Sequence, residues 1–105
     1  MKDLLEVTAT ELSAAIHARK IAPSEVMAAW LARVQAANGA VNAIVSLRDP
    51  DDLMTEARAQ DDAPPQGWLH GIPLPVKDLV ATKGLRTTWG SPIHATHVPA
   101  ADDIL

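Results

Sequence analysis

The chain has 105 residues, 48% of them hydrophobic, and a formal net charge of −4. This length bounds it to one domain, and the acidic balance excludes the basic footprint of a protein that binds nucleic acid or an anionic membrane. With no cysteine there is neither a disulfide framework nor a thiolate metal site, which fits a reducing compartment.

The quality of the hydrophobic content is unusual. Nineteen residues are alanine, Phe and Tyr are absent, and the aromatics are Trp30, Trp68 and Trp89. Alanine favours helix but buries little area, so this composition builds helix more readily than core. A chain of this size already leaves roughly 35–40% of its unfolded surface wet. No apolar run approaches the roughly 20 residues that cross a bilayer. Met1–Glu6 is acidic, and its apolar stretch is too short for a signal peptide. The expectation is a soluble, cytoplasmic chain without membrane contact, internal repeat or low-complexity tract.

The first predicted element is a helix over about 8–20. Thr8 and Glu11 have capping-box spacing, and Val7 and Leu12 are placed as a hydrophobic staple across the cap. Leu12, Ala15, Ile16 and Arg19 follow at helical spacing, with Arg19 and Lys20 in the last turn, where cations suit the helix dipole. A second helix is predicted over about 23–38. Pro23 suits a first turn, Ile21 and Val26 repeat the staple, and Val26, Met27, Trp30, Leu31 and Val34 form the apolar face. Asn38-Gly39 reads as its C-terminal cap.

Residues 41–47, Val-Asn-Ala-Ile-Val-Ser-Leu, read as a short strand. A third helix is predicted over about 50–60, opened by Asp49-Pro50, with Leu53, Met54 and Ala57 on one side. Asp61–Gly67 is a loop by composition. A second strand is predicted over about 72–77. Pro73 and Pro75 remove donors from one of its edges, which makes it an edge, a bulge or an extended segment. Thr82–Ser91 is turn-rich, and Pro99–Leu105 reads as the start of a helix with Asp102 and Asp103 in its first turn.

Several residues are candidates for chemistry. Lys77 lies in Ile72-Pro73-Leu74-Pro75-Val76-Lys77-Asp78-Leu79-Val80, the most apolar stretch of the chain. A lysine held in such surroundings loses preference for its charged form and can act as a base. The plainer alternative is that Lys77-Asp78 marks the wet end of a strand. His94 and His97 are three apart and, with His70, Asp102 and Asp103, have the donors of a metal site. Their segment lacks helical periodicity, so loop histidines are the simpler reading. His17 has no partner signature. Thr87, Thr88 and Ser91 are hydroxyls in a glycine-flanked loop without a G-x-S-x-G elbow, which favours turn formation over nucleophilic catalysis. Phosphate-cradling glycine motifs are absent. Asp49, Asp51, Asp52, Asp61 and Asp62 read as caps and a solvated face.

Leu69-His70-Gly71-Ile72-Pro73-Leu74-Pro75-Val76-Lys77-Asp78 closely resembles the segment that bears the catalytic lysine in amidase-signature enzymes. Thr82-Lys83-Gly84-Leu85-Arg86-Thr87-Thr88 followed by Gly90-Ser91 continues the likeness. The front half matches in layout, so the resemblance covers nearly all of the chain. It implies an α/β fold, the N-terminal part of an α/β/α layered amidase domain. It also implies hydrolysis of a small carboxylic amide by a Ser–cis-Ser–Lys arrangement, without cofactor or metal. Lys77 would be the base, held neutral by burial, taking a proton from a bridging serine that in turn activates the nucleophilic serine. Asp78 would pair or cap near the lysine. Thr88, Trp89 and Ser91 would lie on the substrate side or support it, and Trp89, where many relatives carry a small residue, is expected to pack.

The family's Gly/Ser-rich segment, which carries both serines and the oxyanion-hole amides, does not occur among these residues, and Ser91 does not stand in for it. The 105 residues alone are therefore expected to be inactive and to associate with one another through unfinished edges. Two other readings stay open. One is the amidase-type subunit of a tRNA-dependent amidotransferase, which would meet nucleic acid only indirectly. The other is a truncated, non-catalytic α/β module that binds a partner.

Overall fold

Thr8 starts the first helix by closing both halves of a capping box. Its Oγ1 accepts from the Glu11 N–H at 3.1 Å, and its own N–H donates to Glu11 Oε2 at 2.9 Å. These bonds, the Thr8 N–H foremost, hold the Glu11 carboxyl below its usual range. In the computed structural model, which describes residues 3–104, this helix (α1) spans Ala9–His17. It is shorter than the predicted 8–20 because the chain closes early. The Arg19 N–H donates to Ile16 O at 3.0 Å and the Lys20 N–H to Ala15 O at 2.9 Å. That is the Schellman pattern, with Arg19 in the left-handed region at φ 57°, where glycine is usual. Arg19 and Lys20 thus lie beyond the last turn.

The second helix (α2, Pro23–Val41) begins at Ala22, which has no side chain to cap with. Glu25 Oε2 accepts from the Ala22 N–H at 2.7 Å. Asp61, the last residue of the third helix (α3, Pro50–Asp61), supplies the rest. Its two carboxylate oxygens accept from the Ser24 N–H at 2.9 Å and the Ser24 Oγ at 2.7 Å. An acid at a helix C-terminus opposes its own dipole, but here it also serves the N-terminus of a neighbour. α2 runs past the Asn38-Gly39 signal. Gly39 keeps negative φ, while Asn42 takes φ 48° and donates to Asn38 O at 2.6 Å. α3 is capped by Asp49, whose Oδ1 accepts from the Asp51 N–H at 2.8 Å.

The backbone groups into two units. The first, residues 3–42 and 49–74, contains the three helices. Leu12, Ile16 and Val26 form its core, and Val7, Ile21 and Ile72 pack against them. Both staples end in this cluster: Val7 with Leu12, and Ile21 with the fully buried Val26. α3 packs on α2 and buries Leu53 and Ala57. Gly71, at φ 78°, approaches so closely that a Cβ there would lie 2.7 Å from Pro23 Cγ.

The second unit, residues 43–48 and 75–104, is irregular apart from a 3-10 turn at Pro92–His94. Backbone bonds hold 81–87 antiparallel to 97–103: Asp103 N–H to Ala81 O at 2.9 Å, Gly84 N–H to Pro99 O at 3.0 Å, and Thr87 N–H to His97 O at 3.0 Å.

Three sequence expectations change. Neither strand, 41–47 or 72–77, is present; among the described residues there is no strand at all. Val41 closes α2, Asn42 turns the chain, and 43–48 has no neighbouring strand to pair with. Residues 72–77 carry no regular secondary structure, and Pro73 and Pro75 offer no N–H to a ladder. The α/β expectation is therefore observed on its helical side only. The helix expected at Pro99–Leu105 is also absent through residue 104; Leu105 lies outside the described residues, as do Met1 and Lys2 of the N-terminal stretch. The carboxylates read as first-turn acids are used elsewhere. Asp102 Oδ1 accepts from the Lys83 N–H, and Asp103 Oδ2 from the Ala81 N–H, each at 2.6 Å. Among the described residues no helix is long and apolar enough to cross a membrane.

Candidate functional site

Lys77 follows Pro75 and Val76 and opens a turn in which the Val80 N–H donates to Lys77 O at 3.0 Å. Its side chain is exposed. The burial that the resemblance implies for Lys77 in a complete domain is not present among the described residues. Among the described residues no side-chain hydrogen bond or ion pair engages its amine. Exposed apolar neighbours in the same unit flank it along the chain, with Val76 51% and Leu79 55% accessible.

Asp78 has a defined role in the geometry. Its Oδ1 accepts from the Thr88 N–H at 2.7 Å, and its Oδ2 accepts from the Thr88 Oγ1 hydroxyl. The hydroxyl and then the N–H of Thr88 hold the Asp78 carboxyl below its ordinary range, with desolvation opposing them. Thr88 Oγ1 also accepts from the Gly90 N–H at 3.2 Å, and Thr88 O from the Ser91 N–H at 3.0 Å. Thr87 and Thr88 are the buried polar residues of this unit, 2% and 8% accessible.

Trp89 and Gly90 both take positive φ, 51° and 69°. The Trp89 indole stacks on His97 at a centroid separation of 4.8 Å and meets the edge of His94 at 4.9 Å. His94 and His97 are thus packed on an aromatic ring. Among the described residues no group of three His, Cys, Asp or Glu side chains converges as a metal site. Ser91 Oγ accepts from the Ile93 N–H at 3.3 Å and caps the 3-10 turn.

Asp78 and Thr88 are therefore in contact, with Trp89 and Ser91 on the turn that follows Thr88, while the Lys77 amine reaches none of them by hydrogen bond. Sequence reasoning missed Arg86. Its Nη1 donates to Ser46 Oγ at 2.8 Å and its Nε to Ala95 O, which ties 43–48 to the unit. The partners lie 40 and 9 residues away, so no local pattern signals them.

The sequence profile of the amidase family matches residues 25–105. Over 97% of its length the chain is 41% identical to a glutamyl-tRNA(Gln) amidotransferase subunit from Acidothermus cellulolyticus, covering 21% of that protein. It is 36% identical to an acylamidase from Rhodococcus erythropolis over 93% of the chain and 20% of the relative. The corresponding amidotransferase subunit from Geobacter sulfurreducens is 35% identical over 95% of the chain and 21% of its own length. The chain thus spans about a fifth of the length of these relatives. No solved structure matches. With the Lys77 motif inside a profile match that covers most of the chain, the chain belongs to the amidase family.

Proposed function

We propose that these residues form the first part of a single α/β/α amidase domain that hydrolyses a small carboxylic amide in the cytoplasm, with Lys77 as its base. The observation that carries this reading is the apolar flank of Lys77, Val76 and Leu79, which stands open to water. Covered by the rest of an amidase domain, that flank would exclude water from the ammonium and favour the neutral amine. A neutral Lys77 then accepts the proton of a bridging serine. That serine accepts the proton of the nucleophile as it adds to the amide carbonyl, and the amine leaves with the returned proton. Neither serine lies in this chain, so the 105 residues alone turn over no amide. The sheet of such a domain, and partners for segments 43–48 and 72–77, would come from the same remainder.

The names of two of the relatives support a second reading, an amidotransferase subunit that frees ammonia from glutamine for a partner. Residues 1–105 are fused in register to the remaining four-fifths of the Rhodococcus acylamidase, and ammonia release from simple acyl amides is followed. The fusion turns over acyl amides. Lys77→Ala lowers kcat by roughly 10³-fold or more with unchanged far-UV circular dichroism. Near-parental turnover by that variant refutes the assignment of Lys77.

A further inference from the structure

We propose that Asp78 and Thr88 are positioning residues that fix the backbone from which Lys77 projects; this rests on Lys77 being the base. Asp78 is the residue next to Lys77 and lies inside the turn closed by the Val80 N–H and Lys77 O. Its carboxylate takes both donors of Thr88, ten residues away, so the Lys77 turn cannot pivot without breaking two bonds to a buried partner. Those bonds are charge-assisted, which roughly doubles their strength over neutral ones.

Thr88 is itself anchored on its other side. Its hydroxyl and carbonyl accept from the Gly90 and Ser91 N–H groups. The two residues between, Trp89 and Gly90, occupy the left-handed region in succession. For tryptophan that conformation is uncommon and persists only where its surroundings dictate it. Here they do: Thr88 pins the turn before and after Trp89, and the indole stacks on His97 and meets His94 edge to face. The latch therefore joins two turns, one carrying the base and one held in a strained form. A base must sit within about half an ångström of its productive place, and a misplacement of about 1 Å can cost on the order of 100-fold in rate.

The test uses the fusion described above and separates positioning from plain stability. Thr88→Val keeps the shape and removes the hydroxyl; Thr88→Ser restores it. The expected result for Thr88→Val is a fall in kcat of about tenfold with KM changed less than about twofold, and recovery of most of the loss in Thr88→Ser. Parental kcat in Thr88→Val overturns the proposal. So does a loss in Thr88→Val that the serine variant shares in full and that tracks the melting temperature, since that describes a structural residue. If Thr88→Val yields no folded protein, Asp78→Asn, which keeps the side chain's size but removes the charge, carries the same comparison. Lys77→Ala keeps the two readings apart. An inactive Lys77→Ala beside a fully active Thr88→Val sinks the latch alone, whereas an active Lys77→Ala sinks both.

Discussion

Gly71→Ala tests how the chain leading to Lys77 is fastened to the helices. Gly71 has φ 78°, and a Cβ built there meets Pro23 Cγ at 2.7 Å, Pro23 Cβ at 3.0 Å and Ile16 Cδ1 at 3.5 Å. The first contact is shorter than real Cβ atoms tolerate, and the proline ring has no rotamer by which to swing aside. Pro23 is also buried in the first turn of α2. Left-handed backbone costs a non-glycine residue about 1–2 kcal/mol, and overpacking a tight contact about 1–3 kcal/mol. Alanine returns about 0.4–1 kcal/mol by restricting the unfolded chain. The net loss is about 2–3 kcal/mol, a fall of about 10–20 °C in the melting temperature of a chain this size. Far-UV circular dichroism at 222 nm reads it through the three helices. Gly84→Ala is the reference, because Gly84 has φ 75° with nothing within 4 Å of its built Cβ. Pro23→Ala removes the ring atom at 2.7 Å, so the double variant recovers about 1 kcal/mol relative to additivity. Equal losses in Gly71→Ala and Gly84→Ala, or a cycle that closes at zero, would refute the close-approach argument.

Two further predictions rest on local chemistry. Arg19→Gly relieves left-handed strain at the end of α1 and sacrifices one long exposed bond to Asp61 O at 3.3 Å; it raises stability by about 0.5–1 kcal/mol in urea unfolding, and a decrease contradicts the strain. Asp78 has a carboxyl below its ordinary 3.8 when folded, so its stabilisation is complete above that value and is lost as pH falls through the lowered one. The Thr88 amide resonance should move across that acid range and stay flat in Asp78→Asn; the same movement in both would remove Asp78 as its cause.

What is legible in the sequence is local. The capping box at Thr8, the two staples and the Asp49-Pro50 helix start are chemistries closed within five residues, and each is found where its spacing puts it. The end of α2 is misplaced by the local signal: Asn38-Gly39 reads as the cap, yet the helix continues to Val41 and Asn42 is the residue that turns left-handed. Asp61 reads as part of a solvated acidic stretch, yet it caps α2 from 37 residues away. Asp102 and Asp103 have the look of a helix start, but their oxygens go to backbone donors about 20 residues earlier. The strands fail for a different reason. A helix satisfies its backbone within itself, whereas a strand exists only beside another, and no strand pairs with 43–48 or 72–77 among the described residues.

The site divides along the same line. The motif singles out Lys77, Asp78 and Thr88 as candidates, and the Asp78–Thr88 contact is a property of these residues alone. The burial of Lys77 is not, because burial belongs to whatever packs on it. The alanine-rich composition bears on this directly. The helices bury small and medium side chains, Leu12, Ile16, Val26, Leu53 and Ala57, while Trp68, Leu69, Leu74, Val76 and Leu79 stay open to water. Large apolar groups are thus present but open to water, some beside the lysine motif and others along the chain at Val41, Val45, Ile93, Val98 and Ile104. Covering them is worth roughly 25 cal/mol per Å², and covering Val76 and Leu79 would also withdraw water from the amine between them. In the proposed domain, one packing event therefore completes the core and converts an exposed lysine into a base.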